Sequence, residues 1–126
     1  MSTAQKIVMI VEDEPDAAEL FAEMMRLNGY RVIKTYSSTP VMGLIIQEKP
    51  DLILLDIMMP EISGLDILRS MRSNPDLALL PVVVISARAT PTDIKNGLDA
   101  GASIYLTKPV SYIDLKNAVD GLLQGK

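Results

Sequence analysis

Three stretches of the chain are apolar almost without a break: Lys6 to Val11 (KIVMIV), Leu52 to Leu55 (LILL) and Val82 to Ile85 (VVVI). Runs without polar alternation are what strands need when helices cover both faces of a parallel sheet. Two shorter stretches, Arg31 to Thr35 (RVIKT) and Ser103 to Thr107 (SIYLT), mix polar and apolar residues and suit the sheet edges. Helical patterns fill the gaps. Pro15 opens the first, in which Ala17, Leu20, Met24 and Leu27 recur at helical spacing before Gly29 stops it. The second lies within Ser37 to Lys49, with Thr39-Pro40 as its cap and Val41, Leu44, Ile45 and Glu48 on its pattern. After Gly64, Leu65, Leu68 and Met71 form a stripe that ends at Asn74-Pro75, and Asp76 to Leu80 reads as an irregular connection. Thr90-Pro91-Thr92 caps a fourth helix bearing Ile94 and Leu98, closed by Gly101. The last opens with Ser111 and Asp114 at capping-box spacing and turns Ile113, Leu115, Ala118, Val119 and Leu122 to the core.

Strands alternating with helices imply an α/β fold with a doubly wound parallel sheet. With the three apolar strands central and the mixed ones outermost, the expected strand order is 2-1-3-4-5, the flavodoxin-like arrangement with five strands and helices on both faces. Its switch point lies between the first and third strands, where ligands bind beyond the carboxyl ends of the strands.

At 126 residues, 48% of them hydrophobic, the chain fits one domain spanning 1–126. Twelve basic against sixteen acidic residues, a net charge of −4, argue against a nucleic-acid surface. Neither cysteine nor histidine is present, which removes disulfides, thiolate and imidazole metal sites and His-based catalysis, and leaves hard oxygen ligands as the available metal chemistry. The N-terminal MSTAQK runs straight into a strand too short for a signal core or a membrane span, so the expected location is cytoplasmic, with no membrane partner.

The strand ends carry the chemistry. The first apolar run stops at Glu12-Asp13, the second at Asp56, the third at Ser86, and the last strand at Lys108-Pro109. In the expected topology these side chains share one rim. Carboxylates crowded together raise one another's pKa or demand a cation, and a hard divalent ion such as Mg2+ accepts carboxylate and carbonyl oxygens and bridges readily to phosphate. Cation, ammonium and hydroxyl together suit three phosphoryl oxygens, with a carboxylate as nucleophile.

With these residues in place, the chain resembles the receiver domains of two-component response regulators, from Lys6 to about Leu123. The acidic pair Glu12-Asp13, the stretch LLDIMMPEISG, Ser86-Ala87 and Lys108-Pro109 match in identity and order. The resemblance implies that Asp56 accepts a phosphoryl group from a partner histidine kinase or phosphotransfer protein. It implies Mg2+ held by Glu12 (through water), Asp13, Asp56 and the backbone carbonyl of Met58, with Lys108 pairing with the phosphoryl group and Ser86 hydrogen-bonding it. Ser86 and Tyr105 would form the switch, the aromatic ring turning inward as the hydroxyl moves toward the phosphate. A cis Lys108-Pro109 bond is the family habit. The downstream partner would dock on the face from about Thr92 to Leu123, with Ile94, Tyr105 and Tyr112 as exposed contacts. Glu12 stands where Asp is common and Ser86 where Thr is common; Met58 and Arg88 occupy variable positions beside the site.

Rival functions fit less well. A phosphohydrolase using an aspartyl phosphate carries a second acid two residues after the nucleophile, where this chain has Met58. A flavin or nucleotide binder needs a phosphate loop after the first strand, where Glu12-Asp13 would repel phosphate. A receiver without phosphorylation chemistry would not need every site residue type. A regulator that catalyses at most its own phosphorylation and dephosphorylation is therefore expected; with no output motif following the last helix, a stand-alone module is favoured over an excised N-terminal one, which would read the same. Single residues also have plainer roles: Glu14 suits the dipole of the following helix, and Tyr105 equally suits an edge-strand residue shielding the core.

Overall fold

The structure, a computed structural model, describes residues 5–124. Most of MSTAQK and the terminal Gly125-Lys126 therefore lie outside the described residues. The elements run β1 (Ile7–Val11), α1 (Pro15–Leu27), β2 (Arg31–Thr35), α2 (Val41–Glu48), β3 (Leu52–Leu55), α3 (Gly64–Ser73), β4 (Val82–Ser86), α4 (Pro91–Ala100), β5 (Ile104–Thr107) and α5 (Tyr112–Leu123). All strand pairs are parallel, in the order β2-β1-β3-β4-β5. This is the flavodoxin-like order that the strand polarity predicts.

Unbroken apolar strands serve two cores at once. Met9, Val11, Ile53, Leu55, Val82 and Val84 point to one face, beneath Val41 and Ile45 of α2 and Ile67, Leu68 and Met71 of α3. Val8, Ile10, Leu52, Leu54, Val83 and Ile85 point to the other, beneath Phe21 and Met25 of α1 and Leu115 and Val119 of α5. Side chains alternate across a strand, so every position must be apolar when both faces are covered. The edge strands β2 and β5 keep mostly half-buried residues, in line with their mixed composition.

Helix boundaries follow local chemistry. Pro15 occupies the first turn of α1, where its missing N–H costs nothing. Ser63 Oγ caps α3 by accepting from the Leu65 N–H, and Thr90 and Asp93 form a reciprocal capping box on α4. Ser111 Oγ accepts from the Asp114 N–H at the start of α5.

Several sequence expectations shift in register. On α1 the buried stripe is Ala18, Phe21, Ala22 and Met25, while Leu20 and Leu27 are exposed and Ala17 and Met24 lie at the margin. Two apolar stripes one residue apart share the same helical spacing, and the aromatic one faces the sheet. Thr39 does not cap α2: the N-cap position is Pro40, without a side-chain bond. On α4 the one buried residue is Gly97, with Leu98 exposed and Ile94 half-buried, because this helix meets the sheet edge rather than its middle. Ile113 is exposed in the first turn of α5.

Candidate functional site

The sheet delivers its chemistry through hydrogen bonds that continue the strand pairing past the strand ends. Val11 pairs with Leu55, so the residues that follow them, Glu12 and Asp56, emerge side by side. The Asp56 N–H donates to the Val11 carbonyl at 3.0 Å and the Glu12 N–H to the Thr35 carbonyl at 3.1 Å. On the other side Ser86 pairs with Thr107, and the Lys108 N–H donates to the Ser86 carbonyl at 2.9 Å. The Lys108-Pro109 peptide is cis, as the resemblance implies.

Carboxylate oxygens of Glu12, Asp13 and Asp56 all lie within 4.8 Å of one another. Lys108 Nζ donates to Glu12 Oε1 at 2.9 Å and to Asp56 Oδ2 at 3.3 Å. The second oxygen of Asp56, Oδ1, accepts the Met58 N–H at 2.9 Å, which fixes the plane of the carboxylate. Glu12 Oε2 accepts the Glu14 N–H at 3.2 Å. Glu12 is 1% and Asp56 7% exposed, whereas Asp13 is half-buried and Met58 lies open at the mouth. Ser86 is fully buried and its Oγ accepts the Arg88 N–H at 3.1 Å, leaving the hydroxyl proton free to donate.

Three carboxylates against one ammonium leave the pocket electronegative. Burial pushes the Glu12 pKa up, more than the hydrogen bonds from Lys108 and the Glu14 N–H pull it down, and the nearby charge of Asp56 raises it further. For Lys108, burial works against the charged form, but the hydrogen bond to Glu12 and the charges of Asp56 and Glu12 outweigh it, so its pKa ends raised. The ammonium is thus firmly charged and the cluster suits a hard divalent cation: oxygen donors, preorganised and partly desolvated, with excess negative charge. The site opens into a cleft of about 630 Å³, bordered by Asp13, Met58, Pro60, Ser63, Arg88 and Asn96.

A family model described as the response regulator receiver domain matches residues 8–120. The chain belongs to the response regulator receiver domain family. Among curated relatives of this receiver domain, the polar-differentiation response regulator DivK of Brucella ovis is 36% identical over 106 residues, covering 84% of this chain and 86% of that protein. Among solved structures, the receiver domain of a signal transduction histidine kinase from Syntrophus aciditrophicus is 31% identical, with a TM-score of 0.88 over 95% of this chain and 91% of that one. The BeF3-activated N-terminal receiver domain of Klebsiella pneumoniae RstA is 27% identical, with a TM-score of 0.88 over 94% of this chain and 99% of that one. Two-component signalling is the setting of this family. Among the described residues, no helix is long and apolar enough to cross a membrane.

Every strand-end residue singled out from the sequence reaches this rim of the receiver domain. Tyr105 stands apart on β5, half-buried, its hydroxyl donating to the Arg88 carbonyl at 2.7 Å. Two supporting residues were not legible beforehand. Gly64 lies so close to the loop after β3 that a Cβ there would sit 2.4 Å from Ile57 Cα and 2.7 Å from the Asp56 carbonyl oxygen. Ser38 Oγ, nearly fully buried, accepts the Ile62 N–H at 2.8 Å and so holds the far end of the same loop. Gly64 reads as an ordinary turn glycine and Ser38 as a loop serine until the loops are brought together.

Proposed function

We propose that this receiver domain, over its whole length 1–126, is the phosphoacceptor of a two-component phosphorelay, with Asp56 as the acceptor. What supports it most is the clamping of Asp56, one oxygen held by the Met58 N–H and the other facing Lys108, beside the carboxylates of Glu12 and Asp13. An Asp56 oxygen attacks the phosphorus of a phosphohistidine on a partner kinase or phosphotransfer protein. The P–N bond breaks, and its electron pair stays with the imidazole. Asp13, Asp56, the Met58 carbonyl and, through water, Glu12 would hold Mg2+, which supplies charge neutralisation for the phosphoryl oxygens. Lys108 would take one of those oxygens and the Ser86 hydroxyl another.

The acyl phosphate so formed biases a two-state equilibrium rather than yielding a product, and the chain catalyses at most its own phosphorylation and dephosphorylation. The altered surface is the face from Thr92 to Leu123, presented to a downstream protein in the cytoplasm; Ile94, Tyr105 and Tyr112 are half-buried there and offer partial contact area. Neither a nucleic acid nor a membrane is a direct partner in this proposal.

The test is to incubate the protein with Mg2+ and a small acyl-phosphate donor and to compare intact masses of wild type and Asp56→Asn. A labile mass gain on wild type alone is expected. Full labelling of Asp56→Asn would identify the wrong acceptor.

A further inference from the structure

Gly97 is out of place by helix propensity. It sits in the interior of α4, where glycine is less favourable than alanine, and needs no positive φ there. It is also the one buried residue of that helix. The reason lies on β5: an added Cβ at Gly97 would stand 2.6 Å from both Cδ2 and Cε2 of Tyr105. Carbon atoms in contact stay about 3.5–4.0 Å apart, so the aromatic ring occupies the space a side chain would take. From this seat the Tyr105 hydroxyl reaches the Arg88 carbonyl at 2.7 Å, while the N–H of the same Arg88 donates to Ser86 Oγ at 3.1 Å. The backbone of one residue thus joins the ring seated on α4 to the hydroxyl at the phosphorylation site.

We propose that Gly97 is a positioning residue for the switch: its missing side chain admits the Tyr105 ring to a seat on α4, and so decides how the loop bearing Arg88 answers to a phosphoryl group on Asp56. This rests on the phosphoacceptor role proposed above. The atoms that a Cβ would strike belong to a side chain and not to backbone, so Gly97→Ala expels the ring while the helix stays in place. The ring then loses its bond to Arg88, and the seated state loses its tie to Ser86.

The test uses Gly97→Ala, Tyr105→Ala and the double variant, with two readouts: the Tyr105 ring resonances by NMR, assigned by their loss in Tyr105→Ala, and the midpoint of beryllofluoride uptake in Mg2+. In Gly97→Ala the ring resonances should move to solvent-exposed positions and the midpoint should rise about tenfold, within the usual range of allosteric coupling. In the Tyr105→Ala background, adding Gly97→Ala should leave the midpoint unchanged, since there is no ring to expel. Should Gly97→Ala fail to fold, folding of the double variant would support the seat, and failure of both would overturn it. Wild-type ring resonances and midpoint in Gly97→Ala, or an equal effect in both backgrounds, overturn the inference while leaving the phosphoacceptor role intact. If wild type binds no beryllofluoride, that role fails and this inference falls with it, whatever the ring resonances do.

Discussion

Lys108 Nζ approaches Glu12 Oε1 at 2.9 Å, closer than its 3.3 Å to Asp56 Oδ2, although the ammonium and Glu12 are 96 residues apart. The lysine is therefore shared between the residue proposed to take the phosphoryl group and one proposed to help hold the cation. Burial keeps the Glu12 pKa above its ordinary 4.5. A group whose folded pKa is raised contributes stability below its unfolded value and loses it as pH rises through the folded one, so ionised Glu12 weighs against the fold. A cation reverses that penalty. Added Mg2+ should raise the melting temperature at neutral pH, by about 2.7 kcal/mol of stability at a hundredfold excess over its dissociation constant. The gain should shrink as pH falls toward 4.5, because protons then displace the cation. Calorimetric melts at several pH values check this; a gain that does not vary with pH would remove Glu12 from the cation site.

Two glycines make opposite predictions. A Cβ at Gly64 meets backbone, Ile57 Cα at 2.4 Å and the Asp56 carbonyl oxygen at 2.7 Å, which cannot rotate away. Gly64→Ala should cost about 2–3 kcal/mol, as overpacking does, and should slow phosphoryl uptake by displacing the loop beside Asp56. Among the described residues, Gly43, exposed on α2, has no packing neighbour within 4 Å of its added Cβ. Gly43→Ala should stabilise by about 0.5–1 kcal/mol through helix propensity. Urea unfolding of both variants decides.

Asp120 on α5 collects three side-chain partners, two of which tie the helix to the α1–β2 turn. Its Oδ1 accepts from the Tyr30 hydroxyl at 2.5 Å and the Asn28 amide at 2.6 Å, and its Oδ2 pairs with Lys116 at 2.9 Å, while Gln124 reaches the Tyr30 hydroxyl at 3.3 Å. Burial and the bond to Asp120 push the Tyr30 phenol from 10.0 up to about 12. For Asp120, burial opposes ionisation, but the bonds from Tyr30 and Lys116 more than offset it and its pKa is lowered. Both signs follow from linkage: stability falls as pH rises through the Tyr30 interval, and falls again at acid pH as Asp120 protonates. Tyr30→Phe should cost about 1.5 kcal/mol at neutral pH and flatten the decline between pH 10.0 and about 12. Denaturation midpoints against pH measure both effects; an unaltered alkaline limb would rule out Tyr30 as its source.

Among the described residues, Arg72 at the end of α3 faces three carbonyls and no carboxylate. Its Nε donates to Gly101 at 2.9 Å, and Nη1 to Leu77 at 3.2 Å and Ala78 at 3.1 Å. The planar fork thereby joins α3, the irregular connection after it and the end of α4. Arg72→Ala should destabilise by about 2 kcal/mol, and Arg72→Lys should recover little of it, because a single ammonium cannot span the same acceptors. Recovery by lysine in a denaturant melt would show that charge alone suffices.

The alternation of elements, the strand order and the strand-end residues of the site were all legible in the sequence. Strands buried on both faces must be wholly apolar, so the first polar residue after each marks the rim. Which of two apolar stripes on α1 faces the sheet was not legible, since Leu20 and Phe21 satisfy the same period and only packing tells them apart. Nor was the work of Gly64, Gly97 and Ser38, whose roles are distances to other segments: an absent side chain has meaning only once tertiary structure shows what fills its place. The chain's chemistry is written locally, residue by residue. The spaces and contacts that orient that chemistry exist only between elements, because they depend on which surfaces the folded sheet and helices bring within a few ångströms of each other.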